Sequence, residues 1–146
     1  MKKHPIQLID IGVKELSIVT KEPPEHGEKI DVDSFTFSVG YDGFNDSTRI
    51  INIGLKFEKA MDDESEQISP EEDNISSLKI EIIGCFKVDV ENFPIEKIDH
   101  WAQYNAPYIL IPYIREHVYS LTQKCGFEPL VLPLFQVPSF TIENKD

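Results

Sequence analysis

A chain of 146 residues with 40% apolar side chains has material for one core and little more, which implies a single domain over 1–146 and excludes a disordered polymer. Its 26 acidic residues against 14 basic give a net charge of −12, a field that repels a phosphate backbone or an anionic lipid surface and favours a basic polypeptide. Nucleic acid and direct membrane insertion are therefore excluded as partners, and no stretch approaches the roughly 20 apolar residues needed to cross a bilayer. Asp10, Lys14 and Glu15 interrupt the segment after Met1-Lys2-Lys3-His4-Pro5, leaving no signal-peptide core, so a cytoplasmic location is expected.

Ile6 to Thr20 carries β-branched residues in two-residue alternation whose phase shifts near Glu15, which predicts a strand with a bulge there. The segment from Lys21 to Glu28 contains Pro23 and Pro24, which cannot donate to a ladder, and reads as a long connection. Phe35, Phe37, Val39 and Tyr41 then alternate with small or polar residues as a half-buried strand does, and Asp42-Gly43 opens a turn. Ile51, Ile53, Leu55 and Phe57 mark a third strand. The fourth has Leu78, Ile80, Ile82, Phe86, Val88 and Val90 on one face and Lys79, Glu81, Lys87, Asp89 and Glu91 on the other. Between these two strands, 59–76 is expected to be an acidic mobile loop, either simply solvated or docking a basic partner.

Pro94 to Trp101 predicts a short helical turn, and a main helix follows from about Tyr108 to Lys124 with Gly126 as its terminator. Pro112 is tolerable only in a first turn, so regular helix is expected to begin near Ile111. Leu110, Ile114, Val118, Leu121 and Cys125 form one apolar stripe, while Tyr108, Ile111, Tyr119 and Thr122 lie on other sides of the same helix. A single sheet buries one helix face, so apolar residues around the rest imply a layer supplied by a second copy. Tyr108, Ile111, Arg115 and Tyr119 are the candidate interface. Beyond the helix, Leu130, Leu132, Leu134, Phe135, Val137 and Phe140 form an apolar ribbon cut by Pro129, Pro133 and Pro138, which either lines a groove or packs as core. The resulting fold class is α+β: a four-stranded antiparallel sheet, a long helix on one face and an extended tail.

Nothing in the pattern calls for catalysis. His4, His26, His100 and His117 are scattered without a second ligand at metal spacing, and the carboxylate runs sit where the chain is wettest. Neither a phosphate loop nor a nucleophile elbow is present, so no enzyme, cofactor or metal is expected. Cys85 and Cys125, without a CxxC, are expected to be reduced and buried. Arg115-Glu116 inside an apolar helix reads either as a site or as a guanidinium tying a neighbouring carbonyl, and Trp101 either as a ligand platform or as a core anchor.

The Asn105-Ala106-Pro107 start, Pro112-Tyr113-Ile114-Arg115-Glu116, Gly126-Phe127-Glu128-Pro129-Leu130 and Leu132-Pro133-Leu134-Phe135 come in the order and spacing of one family. The chain resembles the SecB protein-export chaperones there, with weaker likeness at Lys14-Glu15-Leu16-Ser17-Ile18 and Gly84-Cys85-Phe86. That resemblance implies a homotetramer, a dimer of dimers with helices between sheets, acting as an ATP-independent holdase for unfolded precursors. It also implies a peptide groove, here assigned to Ile30 and Val32 of the connection and to Leu134, Phe135, Val137 and Phe140 of the tail.

SecB proteins hand clients to the SecA motor through an acidic sheet surface. Glu15 stands at one such docking position, but the second holds Val19, and Lys79 falls where the family carries an acid. The sequence also runs to Asp146 soon after Phe140, so the family's second helix is expected to be absent or a stub. These departures keep the client-holding function and place SecA docking in doubt. The alternative is a dedicated chaperone of one partner, such as the antitoxin of a toxin-antitoxin pair.

Overall fold

The computed structural model describes residues 1–59, 74–135 and 141–144. Strands β1 (Ile6–Thr20), β2 (Phe35–Tyr41), β3 (Ile50–Lys59), β4 (Ile75–Val88) and β5 (Thr141–Asn144) form one sheet in the order β1-β4-β3-β2-β5. The four strands expected from alternation pair antiparallel throughout. The fifth, which the tail supplies, runs parallel to β2 with Ser38 opposite Thr141 and Tyr41 opposite Asn144.

Alternation becomes burial along each central strand. Ile51, Ile53, Leu55 and Phe57 of β3 and Leu78, Ile80, Ile82, Phe86 and Val88 of β4 are all buried on one face of the sheet. Each such side chain contributes about 1.5–3 kcal/mol by leaving water. In β1 the phase shift has the expected origin, an irregularity between Val13 and Glu15, and two further irregularities fall between Leu8 and Asp10 and between Val19 and Thr20. Lys59 ends β3 and Ile75 begins β4, so the ends of the expected acidic loop belong to strands; residues 60–73 lie outside the described residues. The junction is tied down locally, since the Lys59 ammonium donates to the Ile75 carbonyl and Asn74 exchanges side-chain hydrogen bonds with the Glu22 backbone at 2.9 and 3.0 Å.

A 3₁₀ turn (Ile95–Lys97) leads into α1 (Ile98–Tyr104), and α2 (Ala106–Lys124) follows after Asn105. The helix therefore starts before Tyr108, and Pro112 lies a full turn inside it. Pro112 has no N–H to return to the preceding turn, but it sits on the exposed side of α2 where solvent reaches the freed backbone. Leu110, Ile111 and Ile114, all buried on the opposite side, hold the segment against the sheet.

Two contacts seat the helices. Trp101 is 7% exposed and meets Phe86 edge to face, with ring centroids 5.1 Å apart, which makes it a core anchor. Gly84 lies beneath α2, where a Cβ would come within 2.8 Å of Leu110 Cδ2, 2.9 Å of Phe86 Cε2 and 3.3 Å of Leu8 Cδ1. Leu110 and Phe86 are fully buried and have nowhere to retreat.

Gly84→Ala is expected to destabilise the fold by about 1–3 kcal/mol, the usual cost of overpacking a closed interior. Chemical denaturation checks it: the midpoint should fall at an unchanged slope.

Candidate functional site

After α2 the chain turns back across the helix, and each step of that return is held by a named bond. Gly126 adopts φ +97, the left-handed conformation that ends the helix, and the Phe127 N–H donates to the Thr122 carbonyl at 3.1 Å. Thr122 is fully buried; its hydroxyl donates to the Val118 carbonyl at 2.8 Å and accepts the Leu130 N–H at 3.0 Å. Arg115 then reaches up from α2, donating from Nε to the Leu132 carbonyl at 3.2 Å and from Nη2 to that of Pro133 at 3.4 Å. Of its two sequence readings, the guanidinium tie is the one observed. The proline-punctuated segment forms no helix, and two of its carbonyls find a fork of donors that suits them.

The tail meets the other predicted wall of the groove. The Glu128 N–H donates to the Glu28 carbonyl at 2.9 Å, so the connection between β1 and β2 runs beside the start of the tail. Further on, Phe135 packs edge-on against Phe37 at 5.2 Å, Phe37 against Phe57 at 4.9 Å, and Phe57 against Phe35 at 5.1 Å. Ile30 is buried, and Val32 and Phe135 pack against the core. Leu134 is 89% exposed and Val131 63%. Val137 and Phe140 lie outside the described residues. Beside Val131 a depression is lined by Pro112, Arg115, Glu116, Tyr119, Ser120 and Gln123 of α2. Sequence reasoning did not single out Val131 or Pro112 for this depression, because Leu130-Val131-Leu132 is apolar throughout and carries no alternation that separates exposed from buried.

The candidate interface residues part company. Ile111 is 5% exposed and belongs to the core of the single chain, as Thr122 does. Tyr108 is half-buried, and burial pushes its phenol above its usual 10.0, so it is neutral at physiological pH. Tyr119 is exposed, and the other apolar side chains on the outside of α2 are Ile109 and Tyr113. A second uncovered apolar surface lies on β1. Val13 and Leu16 stand opposite the fully buried Ile82 and Ile80 of β4, yet they remain half exposed because β1 is an edge strand at the margin of the helix layer.

The opposite face of the sheet is charged and internally matched. Lys79 Nζ lies 3.2 Å from Glu15 Oε2, and Lys14 Nζ lies 3.6 Å from Glu81 Oε2. By register Lys79 also faces Glu58, and Glu81 faces Lys56. Glu15, the expected docking acid, is thus paired with the lysine that replaces an acid in the resemblance. Val19 is exposed on the same strand. Among the described residues no group of three or more His, Cys, Asp and Glu could hold a metal ion. Cys85 and Cys125 are free thiols, half-buried where full burial was expected.

Arg115→Met keeps the stem and removes the fork, which should cost about 1–3 kcal/mol of local stability through the two orphaned carbonyls. Amide exchange is expected to quicken over Leu130–Phe135 with little change in β3 and β4. The Glu15 hydrogen bond, then its charge, hold the Lys79 ammonium above its usual 10.5. A raised lysine value means the pair supports the fold in full at neutral pH and loses that support only as pH climbs through the raised value. Lys79→Gln should therefore flatten the alkaline limb of a stability-against-pH curve.

The comparisons with known proteins agree with this geometry. Among curated proteins none matches the chain. Among solved structures, the Mycobacterium tuberculosis SecB-like chaperone Rv1957, in complex with a ChAD peptide from the Rv1956 HigA1 antitoxin, shares the fold with a TM-score of 0.66. The match covers 90% of this chain and 91% of that one at 19% identity. The family model described as preprotein translocase subunit SecB matches residues 2–137, and by that match the chain belongs to the SecB family.

Proposed function

We propose that this protein is an ATP-independent holdase that captures unfolded polypeptides in the cytoplasm. The observation that carries this reading is the half-covered tail: Val131 and Leu134 are offered to solvent along a strip whose backbone is fixed by Arg115 and Thr122. Fixed apolar lining needs no particular client sequence, and extended backbone beside it supplies main-chain partners. The net charge of −12 adds attraction to basic clients. Family membership supports the same role.

Assembly into a homotetramer, a dimer of dimers, fits the two uncovered apolar surfaces. Val13 and Leu16 on the edge strand, and Ile109, Tyr113 and Tyr119 on α2, are separate patches, and two kinds of contact generate four copies.

A second reading, a chaperone dedicated to one partner such as an antitoxin and without SecA docking, is favoured by one observation. The Glu15–Lys79 pair cancels the acid on which motor docking would rest. The structural neighbour holds an antitoxin peptide, which gives that reading a concrete partner type.

Light scattering should report four copies, and the protein should suppress aggregation of a denatured precursor without nucleotide. A monomer with no suppression would sink the holdase. Val13→Asp with Leu16→Asp should lower the mass, while Val131→Asp with Leu134→Asp should weaken client affinity about fivefold or more at unchanged mass, by the loss of an apolar contact worth about 1 kcal/mol.

A further inference from the structure

The sheet carries its own substitute for a client. β5 is four residues long, Thr141–Asn144, at the margin of the sheet with β2 as its one neighbour. It pairs in parallel, the less stable ladder, over Ser38 to Tyr41. Its sequence, Thr-Ile-Glu-Asn, ends in two residue types that strands disfavour. A strand of four residues with one partner and only two strand-favouring side chains, Thr141 and Ile142, belongs to the low end of local stability, where segments open without unfolding the rest.

The contrast with the neighbouring tail is sharp. Up to Phe135 the tail is fastened by Thr122, by Arg115 and by the ring contact with Phe37. That anchoring brings the chain to the β2 edge and keeps it there whether or not β5 is paired. The arrangement gives β5 a high effective concentration beside β2 together with weak pairing of its own.

Resting on the holdase reading above, we infer that the outer edge of β2 is the strand-addition site for an extended client, and that Thr141–Asn144 occupies it as an internal competitor that a client must displace. The client that wins has what β5 lacks: a run of β-branched or aromatic residues free of proline, with lysine or arginine in place of Glu143. The net charge of −12 biases the exchange further toward a basic segment. Because bound β5 reduces the open population, apparent client affinity is reduced by the same fraction, and only segments of adequate strand propensity are held.

The test compares the full chain with a form ending at Phe140 and with Ile142→Pro, which keeps the length but weakens the strand. The probe is a short labelled peptide alternating valine or threonine with lysine, alongside a copy of equal charge interrupted by proline. Both altered forms should bind the uninterrupted peptide on the order of tenfold more tightly than the full chain, by the scale of a population shift. The interrupted copy should gain nothing. In amide exchange without peptide, protection within Ser38–Tyr41 should be lost in both altered forms and return when the peptide is added.

Equal affinity in all three forms, or unchanged protection of β2, overturns the competitor while leaving client capture standing. Weaker binding by the shortened form also overturns it, since β5 would then be part of the site. Failure of every form to bind either the peptide or a denatured precursor removes the holdase reading and this one together.

Discussion

The absence of a side chain at Gly84 sets the height of α2 above the sheet. With Leu110 Cδ2 only 2.8 Å from where a Cβ would stand, the helix rests directly on the middle of β4. From that seat the later geometry follows. Thr122 and Arg115 project from a fixed helix, so the tail they bind has a fixed path, and that path ends on Phe37 at β2. Tail placement is therefore a consequence of core packing, although the tail adds only the marginal strand β5 to the sheet.

A helix layer on a sheet this wide leaves apolar surface exposed among the described residues. β3 and β4 are shielded along their length, whereas β1, at the opposite margin from β5, keeps Val13 and Leu16 half exposed on the helix side. Burying such residues against another copy gains roughly 25 cal/mol for each Å² of apolar area. The tail side differs in kind. There Val131 and Leu134 are exposed while the backbone between them is bonded to Arg115, so apolar area is presented on a surface already ordered. Preordering reduces the entropic cost of docking there, which suits the proposed capture of many sequences.

The four antiparallel strands were legible because each central strand buries one face, and burial of that kind writes a period of two into the sequence. The start of α2 was not legible: Pro112 suggested a later beginning, and only the burial of Leu110, Ile111 and Ile114 beneath it explains why the helix tolerates a proline a turn inside. Ile111 misled in another way, since an apolar residue off the main stripe looks like interface, whereas the single chain already encloses it. β5 left no signal, because Thr-Ile-Glu-Asn has neither the length nor the composition of a strand and is paired by position alone. Arg115 as a tie for passing carbonyls was legible in type; the two carbonyls were not, since they depend on how the tail turns back.

Charge is divided between parts that do different work. On the outer face of the sheet Glu15 meets Lys79 and Glu81 meets Lys14, so that face contributes little net field. In the sequence, by contrast, Asp62 to Asp73 carries seven acidic residues and no basic one, more than half of the net −12. By sequence alone, a run of that acid density attracts a basic chain from beyond contact, with a reach of about 8 Å at physiological salt. Apolar lining at Val131 and Leu134 acts only at contact and is insensitive to that screening. On the proposed holdase reading, steering and grip are thus chemically separate, and raising the salt concentration acts on the first while leaving the second.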